Sequence, residues 1–416
     1  MNDTLKIAPL KIALAQINTH LGEVAVNVAR IRRARADAAA LGADLVVTPE
    51  FSVGGYPPED LVRKPAFVEL CEAAIEDLAR DTADGGPGLI VGGPWRDGGL
   101  LFNAAFVLEG GRVIARRAKH ELPNYGVFDE KRVFDAGPSP GPVNFRGVRL
   151  GLMVCEDFWL PAVSETLAES GAELLLSING SPFEDGKLAR RIGLAVERVV
   201  ETGLPFIFVG QVAGQDELVF DGASFVLNAD RSLAVQMPYF DEALTLTEWR
   251  RDGDRMVCAA QPLPPEPDRL ELIYRCMTLG PGDYVRKNRF PGVLLGLSGG
   301  IDSALSAAVA VDALGADKVR AVMLPSPYTS RDSLDDAAEC ARLLGIRCDT
   351  IPIQPAMAAF GDALAPVFAG RQADITEENI QSRSRGLILM AMSNKFGDML
   401  LTTGNKSEMS VGYATL

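Results

Sequence analysis

The chain has 416 residues, 47% hydrophobic and 23% charged, the balance of a soluble globular protein of roughly two to three domains. Its formal charge of −14 argues against a nucleic-acid or anionic-membrane partner, because phosphate surfaces select a basic face. Six scattered cysteines without a CxxC pair, and only two histidines, exclude a disulfide framework, a zinc site and a His-dependent triad, which leaves the chemistry to Glu, Lys and Cys. No signal peptide leads the sequence and no apolar run is long enough to cross a bilayer, so a cytoplasmic protein is expected.

In chain order, residues 11–17 read as a strand and the Ala-rich residues 26–41 as a helix ending at Gly42. Residues 44–50 form a β-branched apolar strand that delivers Glu50 at its C-terminal end, where α/β proteins place reactive groups. Gly54-Gly55-Tyr56-Pro57-Pro58 marks a loop. A strand over 88–92 is followed by a hairpin of 103–108 and 112–117 turning at Gly110-Gly111, then by Lys119 and a loop over 122–130. The strand Val148–Val154 runs into Cys155-Glu156-Asp157-Phe158-Trp159. Residues 174–178 lead into Asn179-Gly180-Ser181-Pro182-Phe183 and a helix over 187–201, and strands over 205–209 and within 222–237 complete a strand-rich domain.

Glu50, Lys119 and Cys155 thus each lie just past a strand. A thiol near neutral pH is mostly protonated, so a nucleophilic cysteine needs a base and a neighbouring positive charge. Glu50 can take the proton, while Lys119 can lower the thiol pKa and stabilise a tetrahedral oxyanion. Taken singly, a cysteine after an apolar strand also reads as core, and a lysine as a solvated surface group.

Four prolines in residues 261–267 make a stiff linker, and the charged residues 248–255 before it read as a hairpin or surface excursion. A helix over 270–287 leads to Val293-Leu-Leu-Gly-Leu-Ser-Gly-Gly-Ile-Asp-Ser303: a buried strand, a glycine turn and a helix with Asp302 or Ser303 as N-cap. Free N–H groups and a helix dipole then face one spot, an anion site without the Gly-Lys-Ser/Thr ending of a Walker loop. Asp302 beside a polyphosphate is repulsive unless a divalent cation intervenes, which implies Mg2+. Beyond it, strands over 319–324, 347–353 and 398–402 alternate with helices over 330–344 and 376–396, a doubly wound α/β pattern. The segments Glu377-Glu-Asn-Ile-Gln-Ser-Arg383 and Thr402-Thr-Gly-Asn-Lys-Ser-Glu408, taken alone, are an acidic helix start and a polar loop.

Val-Val-Thr-Pro-Glu50, Lys119 with Leu122-Pro-Asn-Tyr125 and Phe128-Asp-Glu130, and Val154-Cys155-Glu156-Asp157 resemble the Glu-Lys-Cys triad of the nitrilase superfamily. The resemblance spans roughly residues 8–245 and implies a four-layer α-β-β-α sandwich. It makes Glu50 the general base, Lys119 the intermediate stabiliser and Cys155 the nucleophile, with Glu130 positioning the lysine and substrate. In the amidotransferase branch of that superfamily the matching positions Tyr125, Ser181 and Lys187 bind glutamine. Without the resemblance, Ser181 and Lys187 also read as a turn residue and a solvated helix residue.

The motif Ser298-Gly-Gly-Ile-Asp-Ser303 resembles the pyrophosphate loop of N-type ATP pyrophosphatases, and with Met323-Leu-Pro-Ser-Pro-Tyr328, the Asn379 segment and the Glu408 segment it resembles NAD synthetases. Together with the upstream domain, nearly the whole chain is similar to the glutamine-dependent NAD synthetase family. This implies that Gly296, Leu297, Ser298, Gly299, Gly300, Ile301, Asp302 and Ser303 hold the ATP pyrophosphate and that Thr403 contacts ATP. Asn379 and Glu408 would contact deamido-NAD, with Asp302 and Glu408 near Mg2+. The organisation expected is a nitrilase-like glutaminase domain over 8–245, a connector over 246–267 and an NAD synthetase domain over 268–416. The partners implied are L-glutamine, ATP and deamido-NAD, in a homo-oligomer. The family continues past residues 412–416, so the synthetase domain is expected to be incomplete at its C-terminus. The rival readings are a stand-alone nitrilase-type amidase with a non-catalytic nucleotide-binding domain, and a non-enzymatic nucleotide-binding scaffold.

Overall fold

A computed structural model describes residues 9–372 and 374–411; the expected domain start at residue 8 and the motif at residues 412–416 lie outside them. The chain divides into two compact units, Met1–Cys276 and Met277–Leu416.

The first unit contains two large sheets, each covered on both faces, and a small hairpin of Val212–Gln215 with Leu218–Asp221. One has seven strands, ordered Arg255–Cys258, Ala243–Asp252, Leu10–Gln16, Leu45–Val47, Gly88–Asp97, Leu100–Glu109 and Arg112–Ala118. The other has six, ordered Leu233–Gln236, Phe225–Leu227, Phe206–Gly210, Leu174–Asn179, Val148–Val154 and Val143–Phe145. Side-chain alternation assigns the layers. Leu10, Ile12, Leu14, Leu45 and Val47 meet Leu150, Leu152, Leu174 and Leu176 in one core between the sheets. The opposite faces of the same strands, Ala13, Ala15 and Val46, pack under the helices Val24–Ala40 and Pro65–Asp81. Met153 and Leu175 pack under Pro161–Glu169 and Lys187–Thr202. Because both faces are buried, these strands read as near-continuous apolar runs, and the result is the four-layer α-β-β-α sandwich expected.

Ala243–Asp252 pairs antiparallel along the whole of Leu10–Gln16, and Arg255–Cys258 extends the edge. The sheet therefore runs past residue 245, where a connector was expected to begin. The hairpin expected over residues 248–255 is present, Ala243–Asp252 turning back into Arg255–Cys258, and in its first strand Glu248 and Arg250 are exposed while Thr247 and Trp249 are fully buried. Three helices of two turns or more were not expected from the sequence: Pro65–Asp81, Pro161–Glu169 and Gln354–Leu364. Each carries proline in its first turn, where a missing N–H costs nothing.

The second unit is a four-stranded parallel sheet ordered Arg347–Thr350, Val319–Met323, Val293–Gly296 and Met399–Leu401. Val293 and Leu295 face Ala307, Ala310, Ala337 and Ala341 of the helices Ile301–Leu314 and Arg331–Leu344. Leu294 faces Leu389 of Ile375–Phe396 and Met357 of Gln354–Leu364. The sheet is doubly wound, and its chain order reverses between Val293–Gly296 and Met399–Leu401. Ligands of such sheets bind outside the strand ends at that reversal. Among the described residues no helix is long and apolar enough to cross a membrane.

Candidate active sites

In the first unit, three strand ends converge on Lys119. The strand Leu45–Val47 is followed three residues later by Glu50, Arg112–Ala118 directly by Lys119, and Val148–Val154 directly by Cys155. Lys119 Nζ donates to Glu50 Oε1 at 2.8 Å and to Glu130 Oε1 at 2.9 Å, with all three side chains out of solvent. Tyr56 Oη donates to the same Glu130 oxygen at 2.8 Å, leaving Glu130 Oε2 without a hydrogen-bond partner. Glu50 is held from two further sides, by Asn103 Nδ2 at 2.7 Å on Oε1 and by the Gly180 amide at 2.7 Å on Oε2.

Cys155 is buried, with φ of +47°, on the sharp turn between its strand and a short 3-10 segment. Burial and the Glu50 carboxylate drive its thiol pKa well above the ordinary value, with Lys119 pulling the other way. The expectation that Lys119 lowers the thiol pKa holds for its own contribution but is outweighed, because desolvation and carboxylate charge both disfavour a thiolate. The thiol thus rests protonated and needs a base. Burial opposes the Lys119 charge, yet Glu130 and Glu50 carry its pKa well above normal, so the ammonium persists. Burial raises Glu130 to about 7 against the pull of Lys119.

Asp157 ties the two halves of this site. Its Oδ1 accepts from the amides of His120 and Glu121, at 2.9 Å each, and its Oδ2 accepts from Val154 N at 2.9 Å. One buried carboxylate thereby links the residues after Lys119 to the residue before Cys155.

Tyr125 and Lys187 gather at one rim. Tyr125 Oη donates to Glu156 at 2.9 Å and its ring meets Phe128 at 5.7 Å, while Lys187 Nζ lies 5.7 Å from the Phe128 ring centre and 6.0 Å from that of Trp159. Lys187 also pairs with Glu184 at 3.0 Å. Ser181 follows the Gly180 amide that holds Glu50, and its Oγ accepts from Arg191 Nε at 3.2 Å. The cation and phenol at this rim, with the Ser181 hydroxyl on the turn that holds Glu50, can bind a small polar molecule beside a buried nucleophile and base.

Tyr56, Asn103, Glu156, Asp157 and Arg191 were given no role in the sequence reading. Asn103 and Arg191 did carry a signal: a polar residue in an apolar strand, and a cation four residues from Lys187, on the same helix face.

In the second unit, the loop after Val293–Gly296 turns at Gly299, where φ is +87° and a Cβ would stand 2.3 Å from Ser333 O. The following helix begins at Ile301 with Gly300 as N-cap, so neither Asp302 nor Ser303 caps it. Ser303 turns inward instead: its Oγ donates to Gly300 O at 3.0 Å and accepts from Ser298 N at 3.2 Å, which fastens the loop to the helix. Asp302 stays exposed in the first turn. Gly296 ends the strand, Leu297 is buried beneath the loop, and Ile301 is exposed.

Thr403 lies in the loop after Met399–Leu401, the strand next to Val293–Gly296, and so at the same sheet edge. Glu408 Oε2 accepts from Asn405 N at 3.0 Å in a capping box. Asn379 lines a cavity of about 410 Å3 with Phe360, Thr376, Ile380, Arg383, Ser384 and Leu387. Among the described residues no three His, Cys, Asp or Glu side chains gather into a metal site. A cation here would be held as Mg2+ commonly is, by one or two carboxylates plus substrate phosphates, and exposed Asp302 fits that need.

Sandwich, buried Glu-Lys-Cys cluster and phosphate-loop sheet define a carbon–nitrogen hydrolase joined to a nucleotide-dependent unit. The family model for carbon-nitrogen hydrolase matches residues 11–253, and that for NAD synthase matches 273–416. A glutamine-dependent NAD(+) synthetase of Rhodobacter capsulatus is 52% identical over 406 residues, 98% of this chain and 73% of the relative. The structure of a glutamine-dependent NAD+ synthetase from Acinetobacter baumannii, in complex with ADP, superposes with a TM-score of 0.93 at 40% identity, covering 98% of this chain and 77% of that one. An amidase from Nesterenkonia sp. AN1, in complex with acrylamide, matches 58% of this chain and 90% of its own at 26% identity and a TM-score of 0.52. The chain belongs to the glutamine-dependent NAD(+) synthetase family.

Proposed function

We propose that the chain hydrolyses L-glutamine in its first unit and uses the ammonia, with ATP, to amidate deamido-NAD in its second. The observation that carries the reading is Lys119 buried between Glu50 and Glu130, with all three charges acting on the Cys155 thiol.

Glu50 takes the thiol proton as Sγ attacks the glutamine carboxamide. The tetrahedral oxyanion is stabilised by the Lys119 ammonium, and ammonia leaves with the proton that Glu50 returns. Water, activated by Glu50, then adds to the thioester, releasing glutamate and restoring the thiol. Glu130 holds Lys119 in place. Lys187 and Ser181 would receive the substrate α-carboxylate, and Tyr125 with it the polar end.

In the second unit, residues 296–303 would cradle the ATP pyrophosphate through loop amides at a helix start, Ser298 and Ser303 shaping the turn. Thr403 would contact ATP, and Asn379 and Glu408 the dinucleotide. The nicotinate carboxylate attacks the α-phosphate, pyrophosphate leaves, and ammonia displaces AMP to form the amide. Mg2+ held by Asp302, with Glu408 nearby, would neutralise phosphate charge when bound. A homo-oligomer and a cytoplasmic location belong to the same reading.

The test is a paired assay with glutamine, Mg-ATP and deamido-NAD that follows glutamate and NAD separately. Both products are expected; Cys155→Ala should abolish both, with added ammonia restoring NAD alone. Glutamate without NAD, even with ammonia, would leave an amidase carrying a non-catalytic nucleotide-binding unit.

A further inference from the structure

Arg191 is 1% exposed and its partner Asp221 3% exposed, so both charges are out of water. Such a pair is a poor stabiliser, since desolvating two ions offsets most of their attraction and an apolar pair of similar volume often does as well. Its geometry points to another role. Nη1 reaches both Asp221 oxygens, at 2.8 and 2.9 Å, and Nη2 donates to the carbonyls of Ser181 at 2.8 Å and Pro182 at 2.9 Å. Nε donates to Ser181 Oγ at 3.2 Å. Two of the three guanidinium nitrogens are therefore spent on the turn that also presents the Gly180 amide to Glu50, and the third on Asp221.

Asp221 ends the strand Leu218–Asp221, and the amide of Phe183 donates to Val219 O at 2.7 Å in that strand. The hairpin thus braces the 181–183 turn twice, once by backbone and once through Arg191. Arginine has no acceptor, so its Nε–H fixes the Ser181 hydroxyl as the acceptor in that contact. The hydroxyl hydrogen is left to point elsewhere, as a donor.

We propose that Arg191, held by Asp221, is a positioning residue: it presents the Ser181 hydroxyl as a hydrogen-bond donor to the amide substrate's carboxylate. This rests on the glutamine reading above and sharpens it, because a donor hydroxyl held by Arg191, one helical turn from Lys187 on the same face, favours an anionic group on the substrate. Arg191 itself touches no reacting atom.

The experiment measures glutamate release by the full chain as wild type, Arg191→Lys, Ser181→Ala and the double variant. Lysine keeps the charge beside Asp221 but cannot fork to a hydroxyl and two carbonyls at once. Arg191→Lys should raise KM for glutamine about tenfold or more while kcat changes less than about threefold, the split expected when binding common to ground and transition states is lost. The double variant should be no more than about threefold worse than the poorer single one, because both changes remove the same contact. Activity on propionamide, which has no carboxylate, should change less than activity on glutamine. Asp221→Asn, which keeps the shape and loosens the clamp, should reproduce the KM effect if the lysine variant does not fold. Unchanged KM, or effects that multiply, would overturn the assignment, and failure of both variants to fold would assign the pair to stability alone. A wild type that releases no glutamate would instead remove the functional reading beneath it.

Discussion

The Phe51 backbone crosses Gly92 so closely that a Cβ on Gly92 would stand 2.1 Å from Phe51 N and 2.8 Å from the carbonyl carbon of Glu50. The strand carrying Gly92 is thus the floor on which the base rests, and no larger residue fits between. Gly92→Ala must push the Glu50–Phe51 peptide aside. It should cost about 1–3 kcal/mol in stability by overpacking and about a hundredfold in glutamate release by misplacing Glu50. Thermal unfolding and glutaminase rate, measured on the same preparation, check both; full activity with a lowered melting point would show that the base is anchored by its hydrogen bonds alone.

Removing the base should make the nucleophile more reactive toward alkylation. The Glu50 carboxylate raises the Cys155 pKa and Lys119 lowers it, so Glu50→Gln leaves the ammonium less opposed. At a given pH the thiolate fraction rises. Iodoacetamide should label Cys155 faster in this variant, while glutamate release is lost. Slower labelling would mean that Glu50 activates the thiol even without substrate.

Tyr56 Oη donates to Glu130 and so favours its charged form. Glu130 already sits at about 7, because burial penalises the carboxylate. Tyr56→Phe should push it higher, so that Glu130 is protonated, and its grip on Lys119 weakened, over a wider range. The acid limb of the glutaminase pH–rate profile should move to higher pH, with stability lower by about 1.5–3 kcal/mol, the worth of a hydrogen bond to a charged group. An unmoved limb would show that Glu130 ionisation does not govern the rate.

Asp157 offers a linkage test. Burial raises its pKa from 3.8 to about 6 even with three amides donating to it. The folded state therefore holds this proton more tightly than the unfolded state, and the group's contribution to stability falls as pH rises from about 4 to about 6. Asp157→Asn should remove that slope from the pH dependence of unfolding. It should also lower stability by about 1–3 kcal/mol, since an amide cannot accept all three N–H groups and leaves a donor unpaired. An unchanged slope would show that Asp157 titrates at its ordinary value.

Gly299 makes the matching claim in the second unit. Its φ of +87° and the Ser333 carbonyl 2.3 Å from a would-be Cβ leave no room for alanine. Gly299→Ala should shift the loop and lower ammonia-supported NAD formation by about a hundredfold, a typical cost of a misplacement near 1 Å. Calorimetric ATP titration separates loss of binding from loss of chemistry, and unaltered affinity would place the phosphates elsewhere.

The strand ends that carry Glu50, Lys119 and Cys155 were legible because a buried strand is a run of apolar residues and its C-terminal neighbour is where polarity returns. Asn103, Tyr56 and Arg191 were not. Asn103 sits inside a strand and Tyr56 in a loop of glycines and prolines, and each reaches a residue more than fifty positions away. Helix starts slipped for a local reason: Gly300 rather than Asp302 or Ser303 caps Ile301–Leu314, because Ser303 Oγ is committed inward to Gly300 O and Ser298 N.

By itself the sequence determined the two kinds of unit, the phosphate loop and the residues able to act as base, cation and nucleophile. Those features depend on short-range patterning and side-chain chemistry. Tertiary structure alone decided their state. Whether a thiol is protonated, whether Lys119 is shared by two carboxylates, and whether Arg191 serves Ser181 depend on desolvation and on distances across strands 30 to 130 residues apart. Coulomb energies and hydrogen bonds change steeply over an ångström, and the chain's order along the sequence holds no record of that.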